Sequence, residues 1–522
     1  MHIRKLILPG LAALLLAGTA PAQVDCSVPI PGPDVIVGSL PGVGNFGGTG
    51  GVGAYSLATT SCNIGTETLK WISGTNEHPV IGQNFYRMEN DRFEQIGMIW
   101  LKHGFFALQQ SLCCNCTPHP NGTALGVGCS DPYSASLNGS QGGLGPRFQV
   151  NAFTGDFSYP FFAQGSGGNQ IYKRGQILNS DLDPSLHPTA LYFGEGHYVS
   201  PDDAAAGNHF NNASYRRLTV GGFTSGSWNL SATGPTERTK PGLQAWADND
   251  PAVRFAPGKV PGEGRFFGAS KVIDNGDGTW RYEYAIQNLN SDVSFGSFAV
   301  PVPAGVTVTG IGFGDVDYHS GEPYDGTDWV GQHANGEVRW STAETFGQNP
   351  NANALRWGSL YNFWFVADAN PGVELAELAT FKPHVPATTG IQLDAPSLSE
   401  TWVDLGGGTT GVTGQPLLTM SGTLTPASQV TLDLTNAAPL ELSLTLLSFS
   451  STPIGYVGGT LHPVPWDALF FFNTSGTGTL NGSTNFSGAP SGTQLFAQVA
   501  VVDASVPLHG VALSNGVVGT VP

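Results

Sequence analysis

The densest chemistry in the chain runs Asp315-Val316-Asp317-Tyr318-His319-Ser320-Gly321-Glu322-Pro323-Tyr324-Asp325-Gly326-Thr327-Asp328-Trp329. Five carboxylates, one histidine and three aromatic residues fall within fifteen positions of a chain whose charged residues total only 11%. Three readings fit those residue types. Asp315, Asp317, Glu322, Asp325 and Asp328 are hard oxygen donors in a glycine-containing loop, which suits Ca2+ and its roughly 6–8 oxygen ligands. Their spacing departs from that of an EF-hand. Asp317 and Glu322 have the residue types of a glycosidase acid and base, whose separation decides the stereochemical outcome. The third reading is a solvated loop with aspartates at turn positions, each bonding its own backbone.

Aromatic residues follow the cluster: Trp329, Trp340 and Trp357, then Tyr361 and Trp364. An exposed indole face is what a sugar-binding platform needs, because the apolar face of a pyranose packs on it. The same residues also serve as sandwich core, and 361–366 alternates like a strand. A second acidic turn, Asp274-Asn275-Gly276-Asp277, reads as a hairpin turn before a cation ligand. Elsewhere the chain lacks the serine-hydrolase elbow, the H-E-x-x-H helix, the phosphate-binding loop and a supported dinucleotide fingerprint. None of the twelve histidines forms an H-x-H or H-x-x-x-H pair. His103, His119, His197 and His209 make a redox-metal site only by meeting in space.

These side chains need a scaffold, and composition sets its class. Residues 1–22 have a charged start (His2, Arg4, Lys5), an apolar run over 6–16 and Ala20-Pro21-Ala22, the pattern of a cleaved secretory signal. The apolar run is too short to span a bilayer, which predicts export without a membrane span. The net charge of −18 leaves no basic patch, so nucleic acid and anionic membrane are disfavoured as partners. All six cysteines lie early: Cys26, Cys62, Cys113, Cys114, Cys116 and Cys129. In an oxidising compartment they predict three disulfides, with Cys26–Cys62 as one candidate pair; a thiolate metal cluster at 113–116 with His119 is the competing reading.

Short strand-like runs broken by Gly, Pro, Ser and Asn turns predict an all-β chain: a large β-sandwich-type region with long irregular loops and a small C-terminal β-sandwich. The expected divisions are a Pro/Gly-rich leader over 23–65, a main region over 66–390 and a terminal module over 391–522. Within the main region, a disulfide-bonded insertion is expected near 110–170 and a subdivision near 255. Residues 383–390 read as a linker. The clearest hairpin is 271–286, turning at Asp274-Asn275-Gly276-Asp277-Gly278.

The segments 429–437 (Gln-Val-Thr-Leu-Asp-Leu-Thr-Asn-Ala), 459–463, 494–503 and 510–516 resemble a C-terminal module of large secreted proteins of environmental Gram-negative bacteria. The stretch 280–303 is similar to segments of the same proteins. The resemblance implies an accessory β-sandwich and surface or extracellular deployment, without a reaction. The sequence therefore predicts a non-enzymatic extracellular or cell-surface binding or structural protein, calcium-stabilised and glycan-binding. Its expected partners are extracellular polysaccharide or cell-surface components. The alternative is a secreted polysaccharide-active hydrolase using carboxylates of 315–328.

Overall fold

The computed structural model describes residues 26–162, 168–397, 402–422, 424, 428–456, 458–490, 492–506 and 510–521. The expected signal peptide lies outside the described residues. Strands, turns and loops dominate, and the longest described helices, Pro201–Ala206 and Gln244–Asn249, have six residues each. The fold is all-β and sandwich-type, as the turn-broken apolar runs predict. No described helix is long and apolar enough to cross a membrane. Two compact units form, one from residues up to Asp368 with Val373–Ala395, the other from Ala369–Gly372 with residues from Pro396 onward.

The first unit is built on an antiparallel sheet of seven strands. Its order is Leu144–Gly145, Leu101–His103, Val80–Glu89, Leu191–Val199, Ala213–Thr224 and Ser227–Glu237, with Arg92–Met98 hairpinned onto Val80–Glu89. Alternation sends Phe85, Tyr192, Tyr198 and Leu218 to one face and Tyr86, Phe193 and Tyr215 to the other. The first set packs on two three-stranded sheets, Val35–Ser39/Thr59–Asn63/Ser130–Tyr133 and Val43–Thr49/Val52–Leu57/Gly175–Leu178. Residues 23–65 are thus not an extended leader beyond residue 34. Val35, Ile36 and Val37 are fully buried. The Pro and Gly clusters there are turns bracketing core strands.

The second face meets Phe267, Ala269, Ala285 and Leu360, with Leu243 and Trp246 beside them. These sit on a five-stranded sheet, Arg254–Lys259, Arg265–Asp274, Trp280–Asn288, Ser359–Ala367 and Val308–Gly314. The expected hairpin is present, with Asp274 opposite Trp280 and Asn275 N–H donating to the Thr279 carbonyl (3.0 Å). A second five-stranded sheet, Val330–Ala334, Glu337–Ser341, Phe295–Pro301, Pro371–Thr380 and Thr388–Pro396, closes a sandwich over it. Phe298 and Trp340 of this sheet meet Phe363 of the other, with ring centroids 4.8 and 5.3 Å apart. Residues 383–390 are not a linker: they turn the chain from one strand of this sheet into the next.

The disulfides are Cys26–Cys114, Cys62–Cys113 and Cys116–Cys129. Cys26 and Cys62 are therefore not partners, and no thiol remains for a metal cluster. Adjacent Cys113 and Cys114 tie the irregular loop to two different segments, one of them the buried strand Thr59–Asn63.

In the second unit one sheet runs Trp402–Gly406, Gly516–Thr520, Gln494–Val502, Leu442–Ser448 and Ala468–Asn473, with Val511–Leu513 beside Gln494–Val502. The other is Leu417–Ser421, Gln429–Thr435 and Leu480–Asn485. Leu418, Val430, Leu434, Val499, Val501 and Val517 fill the space between them.

Candidate functional site

The end of strand Val308–Gly314 and the acidic loop after it form one wall of a cleft in the first unit. Strands Arg92–Met98 and Gly175–Leu178 supply the opposite wall, and the cleft encloses about 300 Å3. Asp315, Asp317, His319, Glu94, Gln176 and Asn362 are among its lining side chains, with Arg87 and Asp181 at one end.

The Arg87 guanidinium organises that end. It binds Glu94 at 2.8 Å, Asp181 at 3.1 Å and His187 Nε2 at 2.8 Å. His187 Nδ1 lies 2.5 Å from Glu89. One cation thus faces several carboxylates, and the cleft is net acidic. His319 is fixed from both sides: Nε2 meets the Met98 carbonyl at 2.8 Å and Nδ1 meets the Ser320 hydroxyl at 2.9 Å. A carbonyl only accepts, so Nε2 carries the proton and Nδ1 accepts from Ser320. Burial pushes this imidazole down to about 4, so it is neutral at pH 7.

The five sequence-predicted carboxylates separate. Asp315 accepts from Asn353 Nδ2 at 2.6 Å, and burial raises it to about 6, with Asp328 and Asp317 adding to the rise. Asp317 and Asp328 are exposed. Asp325 accepts the Thr327 N–H at 2.7 Å in a local turn. Glu322 turns inward: its Oε1 accepts the Arg147 N–H at 2.6 Å, and burial raises it to about 7. Two corrections follow. The calcium ligand set is not assembled, and among the described residues no group of three or more His, Cys, Asp or Glu is placed to hold a metal ion. The pair Asp317 and Glu322 is not an acid–base couple either, because only Asp317 lines the cleft. Glu322 is drawn inward by the Arg147 N–H, while in the same loop Trp329 is buried and Tyr324 lies under Arg356 at 3.6 Å.

Trp329, Trp340 and Trp357 are core residues, 3%, 0% and 6% exposed, and offer no sugar platform. Each indole N–H donates to a backbone carbonyl, those of Asn353, Gly312 and Val150. Trp364 lies under the Arg92 guanidinium, 3.7 Å from its centroid. The histidines do not meet as a redox set. His103 contacts His78 (3.0 Å) and stacks on Phe161, His197 abuts Trp357, and His209 packs on Phe210. The Asp274 and Asp277 side chains cap the hairpin by accepting the Gly276 and Thr279 N–H groups. Sequence reading missed Arg87, Glu94, Gln176 and Asp181, which arrive from two separate stretches of the chain, the hairpin holding Arg87 and Glu94 and the run holding Gln176 and Asp181.

Buried titratable groups give this unit an acid-shifted stability optimum. Burial raises Asp203 to about 8, Asp131 and Glu322 to about 7, and Asp34 and Asp315 to about 6. These groups contribute stability below the ordinary carboxylate range and lose it as pH rises through 6 to 8. Buried His78, His197 and His319 are pushed down to about 4, 3 and 4; their contribution is present above about 6.5 and lost as pH falls. The five carboxyls outnumber the three histidines, so the balance falls gently from about pH 5, and Lys102, pushed down to about 8 by burial, opposes the fall only above about pH 8. Tm is expected to fall by several degrees between about pH 5 and 8, less steeply in Glu322→Gln. A Tm that climbs from pH 6.5 to 8.5 contradicts this.

No protein-family model matches the chain. No curated protein matches it either. Among solved structures, a chain described as "Biofilm associated protein - BSP domain" aligns over 93% of this chain and 81% of its own length, at 9% identity and a TM-score of 0.12. A likeness that slight carries no argument about fold or role.

Proposed function

We propose that the protein is an exported, non-enzymatic binding protein whose acidic cleft takes a segment of neutral polysaccharide. The cleft carries the reading. Planar carboxylate and amide groups at Asp315, Asp317, Gln176 and Asn362 line it beside Ile96, Leu178 and Val316, a mixture suited to vicinal hydroxyls and apolar ring edges. Its excess of carboxylates over the single Arg87 repels anionic chains, which argues for an uncharged ligand. Export is supported by three disulfides, which persist in oxidising compartments. The second unit, similar to modules of secreted bacterial proteins, is read as an accessory sandwich for surface deployment.

One observation favours a second reading, a polysaccharide hydrolase. Asp315, protonated to higher pH than an ordinary carboxylic acid, lines the same cleft as exposed Asp317, and two carboxylates in different environments are the raw material of an acid and a base.

Calorimetric titration with neutral and uronate-containing oligosaccharides tests the first reading. Saturable binding of the neutral set alone is expected. Asp317→Ala, at an exposed position, is expected to weaken it by roughly tenfold or more, since a hydrogen bond to a charged group contributes about 1.5–3 kcal/mol. Binding of the uronate set alone, or of neither set, overturns the reading.

A further inference from the structure

The second unit ends one sheet on a strand that has, among the described residues, none of the usual protections of an edge. Ala468–Asn473 reads Ala-Leu-Phe-Phe-Phe-Asn and pairs on its inner side with Leu442–Ser448. Natural edge strands are normally blunted by lysine, proline, a bulge or a cover. Here Leu469, Phe470, Phe471 and Phe472 are 38%, 46%, 64% and 46% exposed. Successive side chains point to opposite faces, so both faces of the edge are apolar and open. On one of them Leu469 and Phe471 border an apolar groove of about 430 Å3, with Leu444, Tyr456 and Trp466 on its other sides.

The main chain is poised as well. Phe471 lies opposite Leu444, and Thr474 N–H donates to the Glu441 carbonyl at 2.9 Å. In an antiparallel ladder the hydrogen-bonded positions alternate, so Leu469, Phe471 and Asn473 direct their N–H and C=O groups outward.

We infer that this edge pairs with the same edge of a second copy, antiparallel and about a two-fold axis at Phe471. An apolar small molecule would fill the groove but leave the outward main-chain groups unmet, so the occupant is a strand. The strand is its own complement. Around the axis Phe471 meets Phe471, Phe470 meets Phe472 of the other copy on one face, and Leu469 meets Asn473 on the other. Aromatic cross-strand pairs stabilise such a ladder. Charge fits too: Asp467 falls opposite Ser475, so no like charges meet at this seam although the chain carries −18. The two sheets then run on as one, and the interface is isologous.

The test is sedimentation of the purified full chain over a range of concentrations, with Phe471→Lys and Phe471→Cys variants. A doubled mass that strengthens with added salt is expected, because salt screens the repulsion between acidic copies. Phe471→Lys is expected to sediment at half that mass with unchanged circular dichroism. All six native cysteines are in disulfides, so a single new thiol reports cleanly. Phe471→Cys is expected to give a covalent dimer under mild oxidation, since hydrogen-bonded pairs sit about 5.5 Å apart at Cα, within disulfide range. An exposed control, Val412→Cys, is not. A native chain that is monomeric throughout, a dimer indifferent to Phe471→Lys, or equal cross-linking by both cysteine variants overturns the inference.

Discussion

Arg147→Met is expected to lower the stability of the first unit by about 3–5 kcal/mol, the range for removing one member of a buried charged network. The side chain is buried and spends its donors on the framework. Nε donates to the Ile99 carbonyl (3.0 Å), Nη1 to the Gly358 carbonyl (2.9 Å), and Nη2 to the Gln83 carbonyl (2.8 Å) and Asn84 Oδ1 (2.9 Å). Gln83 and Asn84 lie in a strand of one central sheet and Gly358 directly precedes a strand of the other, so one side chain stitches two layers. Gly358 is glycine for the same reason: a Cβ there would stand 2.3 Å from Nη1. Asn84 passes the field on to buried Glu195, which also accepts from Tyr86 (3.1 Å) and Gln287 (2.7 Å). Methionine fills the volume but withdraws the guanidinium donors from the Ile99 and Gly358 carbonyls and leaves the Gln83 carbonyl with the Ile99 N–H alone (3.1 Å), and a buried group that loses its partner is costly. Urea unfolding followed by tryptophan fluorescence reads this unit, because nine of the eleven tryptophans precede residue 396. Arg147→Lys is expected to recover little, since an ammonium cannot span the fork. An unchanged midpoint in Arg147→Met contradicts the network.

Opening the Cys62–Cys113 bridge is expected to cost about 4 kcal/mol, the chain-entropy value for a closed loop of that length. The sequence separation is 51 residues, against 13 for Cys116–Cys129, whose loss is expected to cost about 3 kcal/mol on the same model. Geometry adds to the difference. Cys62 is fully buried in strand Thr59–Asn63, and a Cβ at Gly38 would lie 2.3 Å from its sulfur. The bridge passes directly over the strand Val35–Ser39 and clamps it to the sheet. Paired Cys→Ser variants, compared by thermal unfolding, are expected to rank with Cys62/Cys113 the more damaged. The reverse order contradicts the assignment of Val35–Ser39 to the core.

The elements legible in the sequence are those specified locally. Strand Gln494–Val502 and the turn at 274–278 declare themselves through period-two alternation and turn chemistry. The strands at 35–57 did not, because Pro and Gly density looks the same in a linker and in tight turns between core strands. Only the long-range register of Val35–Ser39 on Thr59–Asn63 separates the two. The cleft was half legible. Asp315 and Asp317 stood out as a cluster, whereas Arg87, Glu94 and Asp181 look like ordinary strand and turn charges until the sheet brings them together. Glu322 could not be placed from sequence, since its inward turn is set by Arg147, 175 positions away. Tryptophan type alone does not say which side of a sandwich a residue faces, and here Trp329, Trp340 and Trp357 went inside.

The most direct test of the binding reading is to mix the protein with insoluble neutral polysaccharides and follow both its depletion from solution and the release of soluble sugar, with Asp317→Ala alongside. Depletion without sugar release, weakened in the variant, is the predicted result. Soluble product from the native chain would contradict it and make Asp315 and Asp317 catalytic candidates; absence of depletion would remove neutral polysaccharide as the ligand.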